Sequence, residues 1–214
     1  MKEMRGQLDA VSTAYRTILV ENGSTDATYA EALAIARADE RTDVVRLPAA
    51  DYGLAIRTGM EAAGDEGWLV VFDIDYFSGA FAASVVEQAA RTDVVIGSKR
   101  AAGSMDRRPW IRRLATRVFN FLLRTIAGSG VSDTHGMKAI RASVARDLLP
   151  HVLLTKDLFD TELLLRAERA GYRITEVPVV VEEMREARSS LIRRVPRTLR
   201  GLMVLRRTLR EEGA

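Results

Sequence analysis

Residues 69 to 79 read Leu-Val-Val-Phe-Asp-Ile-Asp-Tyr-Phe-Ser-Gly, and this stretch constrains the fold more than any other. Leu69 to Phe72 form a short, valine-rich apolar run of the kind that suits a strand buried on both faces. Asp73 and Asp75 follow at once with one residue between them. Side chains alternate along an extended chain, so the two carboxylates are expected to leave the strand end on the same side. Like charges held that close repel unless a cation, a proton or a basic side chain lies between them. In an α/β sheet, ligands gather at the carboxyl ends of the strands. A hard divalent cation carrying a substrate phosphate suits one or two carboxylates placed there. The competing reading is an acidic, solvated exit from the strand, and the pair alone does not separate the two.

The rest of the chain bounds the choice. Its 214 residues allow one well-buried α/β domain with a small appendage. There is no cysteine, so disulfides and thiolate sites are excluded, and with only two histidines, His135 and His151, a His-rich zinc site is not expected. The net charge is only +3, but arginine gathers from Lys99 to Arg124 and from Arg185 to Arg210, while the first ninety residues lean acidic. Such clusters point to phosphates, nucleic acid or an anionic membrane surface. Nothing approaches the roughly 20 apolar residues needed to span a bilayer, and Met1 to Gly6 lack the apolar core of a signal peptide. A protein kept on the cytoplasmic side is expected.

Taken in order, Gln7 to Tyr15 reads as a short helix and Arg16 to Glu21 as a strand broken by the turn Asn22 to Asp26. A helix from about Ala27 to Ala38 follows, capped by Ser24, Thr25 or Asp26. Asp43 to Leu47 is a strand, and Leu54 to Ala63 a helix closed by Gly64. After the acidic strand come a helix from Ala80 to Ala90 and a strand from Asp93 to Gly97. This alternation means βαβ units and a mainly parallel sheet. Lys99 to Trp110 is a polar loop, Ile111 to Ala127 a basic amphipathic helix, and Gly128 to Gly136 a second loop. Met137 to Leu149 holds a strand-like piece and a short helix. A helix from Asp160 to Ala170 ends at Gly171, and Tyr172 to Glu182 is a strand with Pro178 near an edge.

Several motifs recur in a fixed order: Val20-Glu21-Asn22-Gly23-Ser24-Thr25-Asp26; Asp51-Tyr52-Gly53 with Gly59; Asp73-Ile74-Asp75; and Gly97-Ser98-Lys99. Asp133-Thr134-His135-Gly136-Met137-Lys138, Phe159-Asp160-Thr161-Glu162-Leu163-Leu164 and Gly171-Tyr172-Arg173-Ile174-Thr175-Glu176-Val177-Pro178 complete the series. Over roughly residues 16 to 190 this resembles a family 2 glycosyltransferase with the GT-A fold. It is similar to the dolichyl- or polyprenyl-phosphate sugar transferases. The resemblance implies an inverting transfer of a sugar from a nucleoside diphosphate sugar. Asp73 and Asp75 would bind Mg²⁺ or Mn²⁺, with Asp75 the direct ligand and Asp73 holding ribose or metal. Glu21, Asn22 and Asp51 would face the nucleoside, and Lys99 and Arg100 a phosphate of the donor or of a lipid acceptor. A lipid phosphate is already a nucleophile and needs no base. A hydroxyl acceptor does, and Asp133 and Glu162 are then the candidates, with Asp160 behind them.

The chain departs from the family in three places. It lacks an opening strand of the type Val-Val-Ile-Pro-x-Tyr-Asn-Glu, so an open sheet edge beside Thr17 to Glu21, self-association and weak donor binding are expected. Phe77 stands where related mannosyltransferases carry glutamine, and Glu21-Asn22 replaces a frequent Asp-Asp pair. Two units are expected: residues 1–190 as the GT-A domain, and 191–214 as a basic amphipathic helix with Leu199, Leu202, Met203, Leu205 and Leu209 on one face. Arginines around Trp110, Leu114, Val118 and Phe121 give a second segment suited either to a lipid interface or to a core-facing helix with a solvated basic side. Nucleic acid is not expected, for want of interleaved aromatics or a known binding module. The rival readings are a haloacid-dehalogenase-type phosphatase using Asp73 as nucleophile and a non-catalytic interaction module.

Overall fold

The protein is described from a computed structural model, in which residues 1–11, 14–98, 105–106, 110–127, 130, 136–181 and 200–208 are placed. Strands and helices alternate: α1 (Lys2–Asp9), β1 (Thr17–Asn22), α2 (Thr28–Arg37), β2 (Thr42–Leu47), α3 (Tyr52–Ala63), β3 (Trp68–Val71), α4 (Gly79–Gln88) and β4 (Val94–Ser98). A two-residue strand β5 (Met105–Asp106) and the long helix α5 (Trp110–Ala127) follow. Then come β6 (Lys138–Arg141), α6 (Ala142–Leu148), α7 (Phe159–Arg169), β7 (Ile174–Pro178) and β8 (Val180–Val181). Residues 200–208 form a last helix, α8.

β1 and β2 pair in parallel, from Thr17 opposite Thr42 to Asn22 opposite Leu47. A separate four-stranded sheet has the order β3-β6-β4-β7, with β6 antiparallel to both neighbours and β4 parallel to β7. β5 and β8 form a small parallel pair. Among the described residues β1 pairs only with β2 and β3 only with β6, which leaves one edge of each open.

Every residue of β4 is buried, as its Val-Val-Ile run requires of a strand covered on both faces. Its side chains alternate between two cores. Val94 and Ile96 meet Ile56 and Met60 of α3 and Leu163 and Leu164 of α7. Val95 meets Phe81 and Val85 of α4 with Val177 of β7. A third cluster joins Leu123 of α5, Leu158, Leu165 of α7, and Leu202 and Leu205 of α8.

Three expectations change. The first helix is Lys2–Asp9, not Gln7 to Tyr15, because tertiary anchors outweigh its weak local pattern. Arg5 reaches Asp39 at 2.6 Å, Gln7 accepts from the Gly79 N–H at 2.8 Å, and Tyr15 instead donates back to Asp9. The final strand breaks at Val179 into β7 and β8, with Pro178 on the outer strand of the sheet. In the C-terminal helix Leu202 and Leu205 are buried while Met203 is 60% exposed; Leu199 and Leu209 lie outside the described residues.

Candidate active site

β3 delivers the two acids, but not on an extended chain. The Tyr76 N–H donates to the Asp73 carbonyl at 3.0 Å, and Asp73 and Tyr76 form an isolated bridge. Asp73 and Asp75 are therefore the first and third residues of a tight turn. Phe72 and Tyr76 both pack against the core beneath α4, and these two aromatic anchors fold the acidic segment back between them. The tip is open: Asp73 and Asp75 are exposed, and Ile74 is 60% exposed. Ser78 caps α4 by accepting from Phe81 N–H at 3.1 Å, which fixes the far side of the turn.

Though open to solvent, the Asp73 carboxyl sits among groups that hold its pKa above the ordinary carboxylate value. Desolvation by the surrounding protein contributes most; the nearby Lys138 charge opposes it, and Asp75 and Asp160 add to it. Lys138 is in β6, opposite both Val71 and Ile96. Its Nζ lies 2.8 Å from Asp160 Oδ2, with both side chains almost wholly buried. Asp160 Oδ1, also buried, makes no hydrogen bond among the described residues. Tyr52 opens α3, near enough to Asp73 for the two side chains to influence each other electrostatically. Desolvation, helped by Asp160 and Asp73, pushes the Tyr52 phenol upward, so it stays a donor throughout the usable pH range. Tyr52, Lys138 and Asp160 thus join the carboxylate turn. The signal for Lys138 was a lysine inside the apolar run Met137-Lys138-Ala139-Ile140, where a buried cation demands a buried acid.

The residues expected at the nucleoside are close together but already engaged. Glu21 is buried; it accepts from Ser24 N–H at 2.5 Å and faces Arg46 at 3.2 Å. The Ser24 bonds and then Arg46 hold its carboxyl below the usual range. Asn22 Oδ1 accepts from Asp51 N–H at 2.7 Å. Asp51 in turn caps α3 through Leu54 N–H at 3.0 Å and accepts from Lys156 N–H at 3.0 Å. Gly23, at φ 68°, lets the loop pass against Ala49 and Ala50, whose backbone a Cβ would meet at 2.6 Å. Beside this loop an open depression of about 630 Å³ is lined by Gly23 to Asp26, Arg46, Leu47 and Pro48. It lies at the carboxyl ends of β1 and β2.

Glu162 stands apart from the turn in its bonding. It is 1% exposed and accepts from Leu153 N–H at 3.0 Å, Leu154 N–H at 2.6 Å and Arg166 Nε at 2.9 Å. Lys99, Arg100 and Asp133 lie outside the described residues. Among the described residues no three acids or histidines converge as a ready cage. Two accessible carboxylates on a turn, backed by a third acid, nevertheless fit a hard cation that keeps waters and substrate oxygens in its shell.

The profile described as Glycosyl transferase family 2 matches residues 8–149. An uncharacterised glycosyltransferase of Mycobacterium tuberculosis is 32% identical over 174 residues, covering 80% of this chain and 76% of that one. Glycosyltransferase AglD of Haloferax volcanii is 31% identical over 189 residues, covering 84% of this chain and 30% of that protein. Among solved structures, glucosyl-3-phosphoglycerate synthase from Mycobacterium tuberculosis with UDP superimposes at a TM-score of 0.60 and 18% identity, covering 94% of this chain and 84% of that one. The same enzyme with Mn²⁺, UDP-glucose and phosphoglyceric acid gives 0.59 and 19%, covering 92% and 83%. The chain belongs to glycosyltransferase family 2 and is an enzyme of that family. Its fold is GT-A, a largely parallel sheet flanked by helices.

Proposed function

We propose that this enzyme moves a sugar, with inversion, from a nucleoside diphosphate sugar to a polyprenyl-phosphate-like acceptor at an anionic membrane surface. The observation that carries the reading is the accessible turn that presents Asp73 and Asp75 at the exit of β3. Mg²⁺ or Mn²⁺ would be held by Asp75 and Asp73, with diphosphate oxygens and water completing its shell. When bound, such a cation neutralises the departing diphosphate. Solved GT-A neighbours hold Mg²⁺ or Mn²⁺ with UDP, which supports the choice. The chain's own groups prepare this site. Tyr52 lies near Asp73, and the buried Lys138–Asp160 pair lies close behind it. Glu21, Asn22 and Asp51 hold the nucleoside loop in shape, since their carboxylate and amide oxygens are bonded to neighbouring backbone. Lys99 and Arg100 are assigned to a phosphate of donor or acceptor.

An acceptor phosphate oxygen attacks the anomeric carbon from the face opposite the diphosphate. The new carbon–oxygen bond forms as the bond to the diphosphate breaks. That nucleophile carries its own charge and needs no base. With a hydroxyl acceptor, Asp133 remains the proposed base. The Glu162 carboxylate is occupied by Leu153, Leu154 and Arg166, and Asp160 is buried against Lys138, so neither is placed to take that role.

The lipid half of the reading rests on α5. Trp110, Leu114, Val118 and Phe121 are 68, 48, 51 and 65% exposed. Their spacing of four, four and three residues puts them on one side of the helix, opposite the buried Leu123. Arg117 and Arg124 are exposed beside them. An apolar stripe edged by arginine fits an anionic interface, and no helix among the described residues is long and apolar enough to cross a membrane. A second reading, a soluble phosphorylated acceptor, is favoured by the phosphoglyceric acid held in a structural neighbour. Labelled sugar nucleotides offered with polyprenyl phosphate in anionic vesicles, or with 3-phosphoglycerate, distinguish the two. Label extracted with lipid is expected; label on 3-phosphoglycerate alone would replace the lipid reading with the soluble one.

A further inference from the structure

Among the described residues Lys156 is the one non-glycine residue at positive φ, 54°. A lysine is uncommon in that region, where its Cβ is crowded by the backbone and glycine or asparagine fits better. Its surroundings hold it there. Asp51 accepts at 3.0 Å from Lys156 N–H while capping α3 through Leu54 N–H. Gly53 lets the first turn of α3 press against the same segment, since a Cβ there would lie 2.8 Å from Lys156 N and 2.9 Å from the Thr155 carbonyl carbon. Just before it, Leu153 and Leu154 give their N–H groups to Glu162 of α7. The backbone is thus fixed from α3 and α7, and the Lys156 side chain is left exposed. Strain held in this way by its surroundings concentrates at ligand-binding and active sites.

Lys156 also stands at the end of the sheet where the site is built. Asn22, the last residue of β1, accepts from Asp51 N–H at 2.7 Å. The bonds Asn22–Asp51–Lys156 therefore run unbroken from the carboxyl end of β1 to the start of α7. Four residues on, Asp160 pairs at 2.8 Å with Lys138, which is opposite Val71 at the carboxyl end of β3. The segment bearing Lys156 thus joins the loop expected at the nucleoside to the ion pair behind the acidic turn. A nucleoside diphosphate reaching from one to the other has its phosphates along this segment. Lys138 is buried against Asp160, whereas Lys156 offers an exposed ammonium, a compact charge on a flexible stem that suits phosphate oxygens.

We infer that Lys156 is a further binding residue for the donor, its ammonium taking a phosphate oxygen of the nucleoside diphosphate between the Asn22–Asp51 loop and the Asp73–Asp75 turn. The inference rests on the donor reading above, and its test separates the two. Wild type, Lys156→Gly, Lys156→Arg and Asp75→Asn are titrated by calorimetry with UDP, GDP, CDP, ADP or TDP in the presence of Mn²⁺. Thermal unfolding is recorded without ligand. Lys156→Gly removes the charge and relieves the backbone, so its unfolding midpoint is expected at or above that of wild type. The same variant is expected to bind the preferred nucleotide about tenfold more weakly, having lost a hydrogen bond between charged groups. Lys156→Arg, which keeps the charge, is expected to stay within about threefold of wild type. Wild-type affinity in Lys156→Gly, alongside weakened binding in Asp75→Asn, overturns the role of Lys156 and leaves the donor site standing. Equal losses in Lys156→Gly and Lys156→Arg trace the effect to the backbone rather than the charge and overturn the inference. A lowered unfolding midpoint in Lys156→Gly makes Lys156 a structural residue and overturns it too. If wild type binds none of the five nucleotides, the donor reading falls and the inference falls with it.

Discussion

Asp75 and Glu162 are both acids of the same series of motifs, and their surroundings give them opposite work. The Asp75 side chain is exposed at the tip of a turn, so Asp75→Asn is expected to change stability by less than about 0.5 kcal/mol while reducing sugar transfer at least about a hundredfold. Glu162 is buried with its oxygens bonded to two backbone N–H groups and Arg166. In Glu162→Gln an amide NH₂ replaces one acceptor and leaves Arg166 without its partner charge. A loss of about 3 kcal/mol in urea unfolding is expected, with no selective loss of Mn²⁺ binding. A pH effect belongs to Asp93, away from the site. Its carboxyl is held below the usual range, first by Arg173, which bonds it through side chain and backbone. A depressed acid stabilises the fold above the unfolded-state pKa of about 4 and loses that contribution as pH falls through the folded value. Stability should therefore drop on acidification below about pH 4, and Asp93→Asn should flatten that limb of a pH series of unfolding curves.

At the scale of elements, the sequence reading and the structure part where long-range packing decides. β1, β2, β4, α2, α3 and α7 were legible because each carries its own periodicity and end signal, such as Gly171 at φ 78° after α7. The Asp-Ile-Asp segment was placed correctly at the end of a strand but taken as extended. The anchors that bend it, Phe72 and Tyr76, act through a core assembled from β4, β6 and β7, which local pattern does not contain. Tyr52, Lys138 and Asp160 were visible as motif members, yet their meeting depends on α3, β6 and α7 converging behind Asp73. Gly53 is the element-scale test of that convergence. Gly53→Ala forces a Cβ into Phe159 and the Lys156 backbone, so a loss of about 2 kcal/mol or more is expected.

For the whole molecule, two surfaces matter beyond the catalytic turn. The edges of β1 and β3 that are unpaired among the described residues, with Ile18, Leu19 and Val20 only partly buried, predict concentration-dependent self-association of the purified chain; a monodisperse monomer across the range in analytical ultracentrifugation would contradict this. The α5 stripe predicts binding to anionic but not neutral vesicles. Salt should weaken it as charges become screened beyond about 10 Å at 0.1 M. Trp110→Ala with Phe121→Ala should reduce it further in sedimentation assays. Separate from both surfaces is the central claim, that the turn at the end of β3 holds a metal-bound nucleoside diphosphate. The measurement that bears on it most directly is Mn²⁺ titration of wild type and Asp75→Asn with each of the five nucleoside diphosphates. At least one nucleotide should tighten Mn²⁺ binding to wild type, with Asp75→Asn losing the effect and keeping its fold. Equal binding in the two proteins, or no nucleotide-dependent binding in either, would contradict the account.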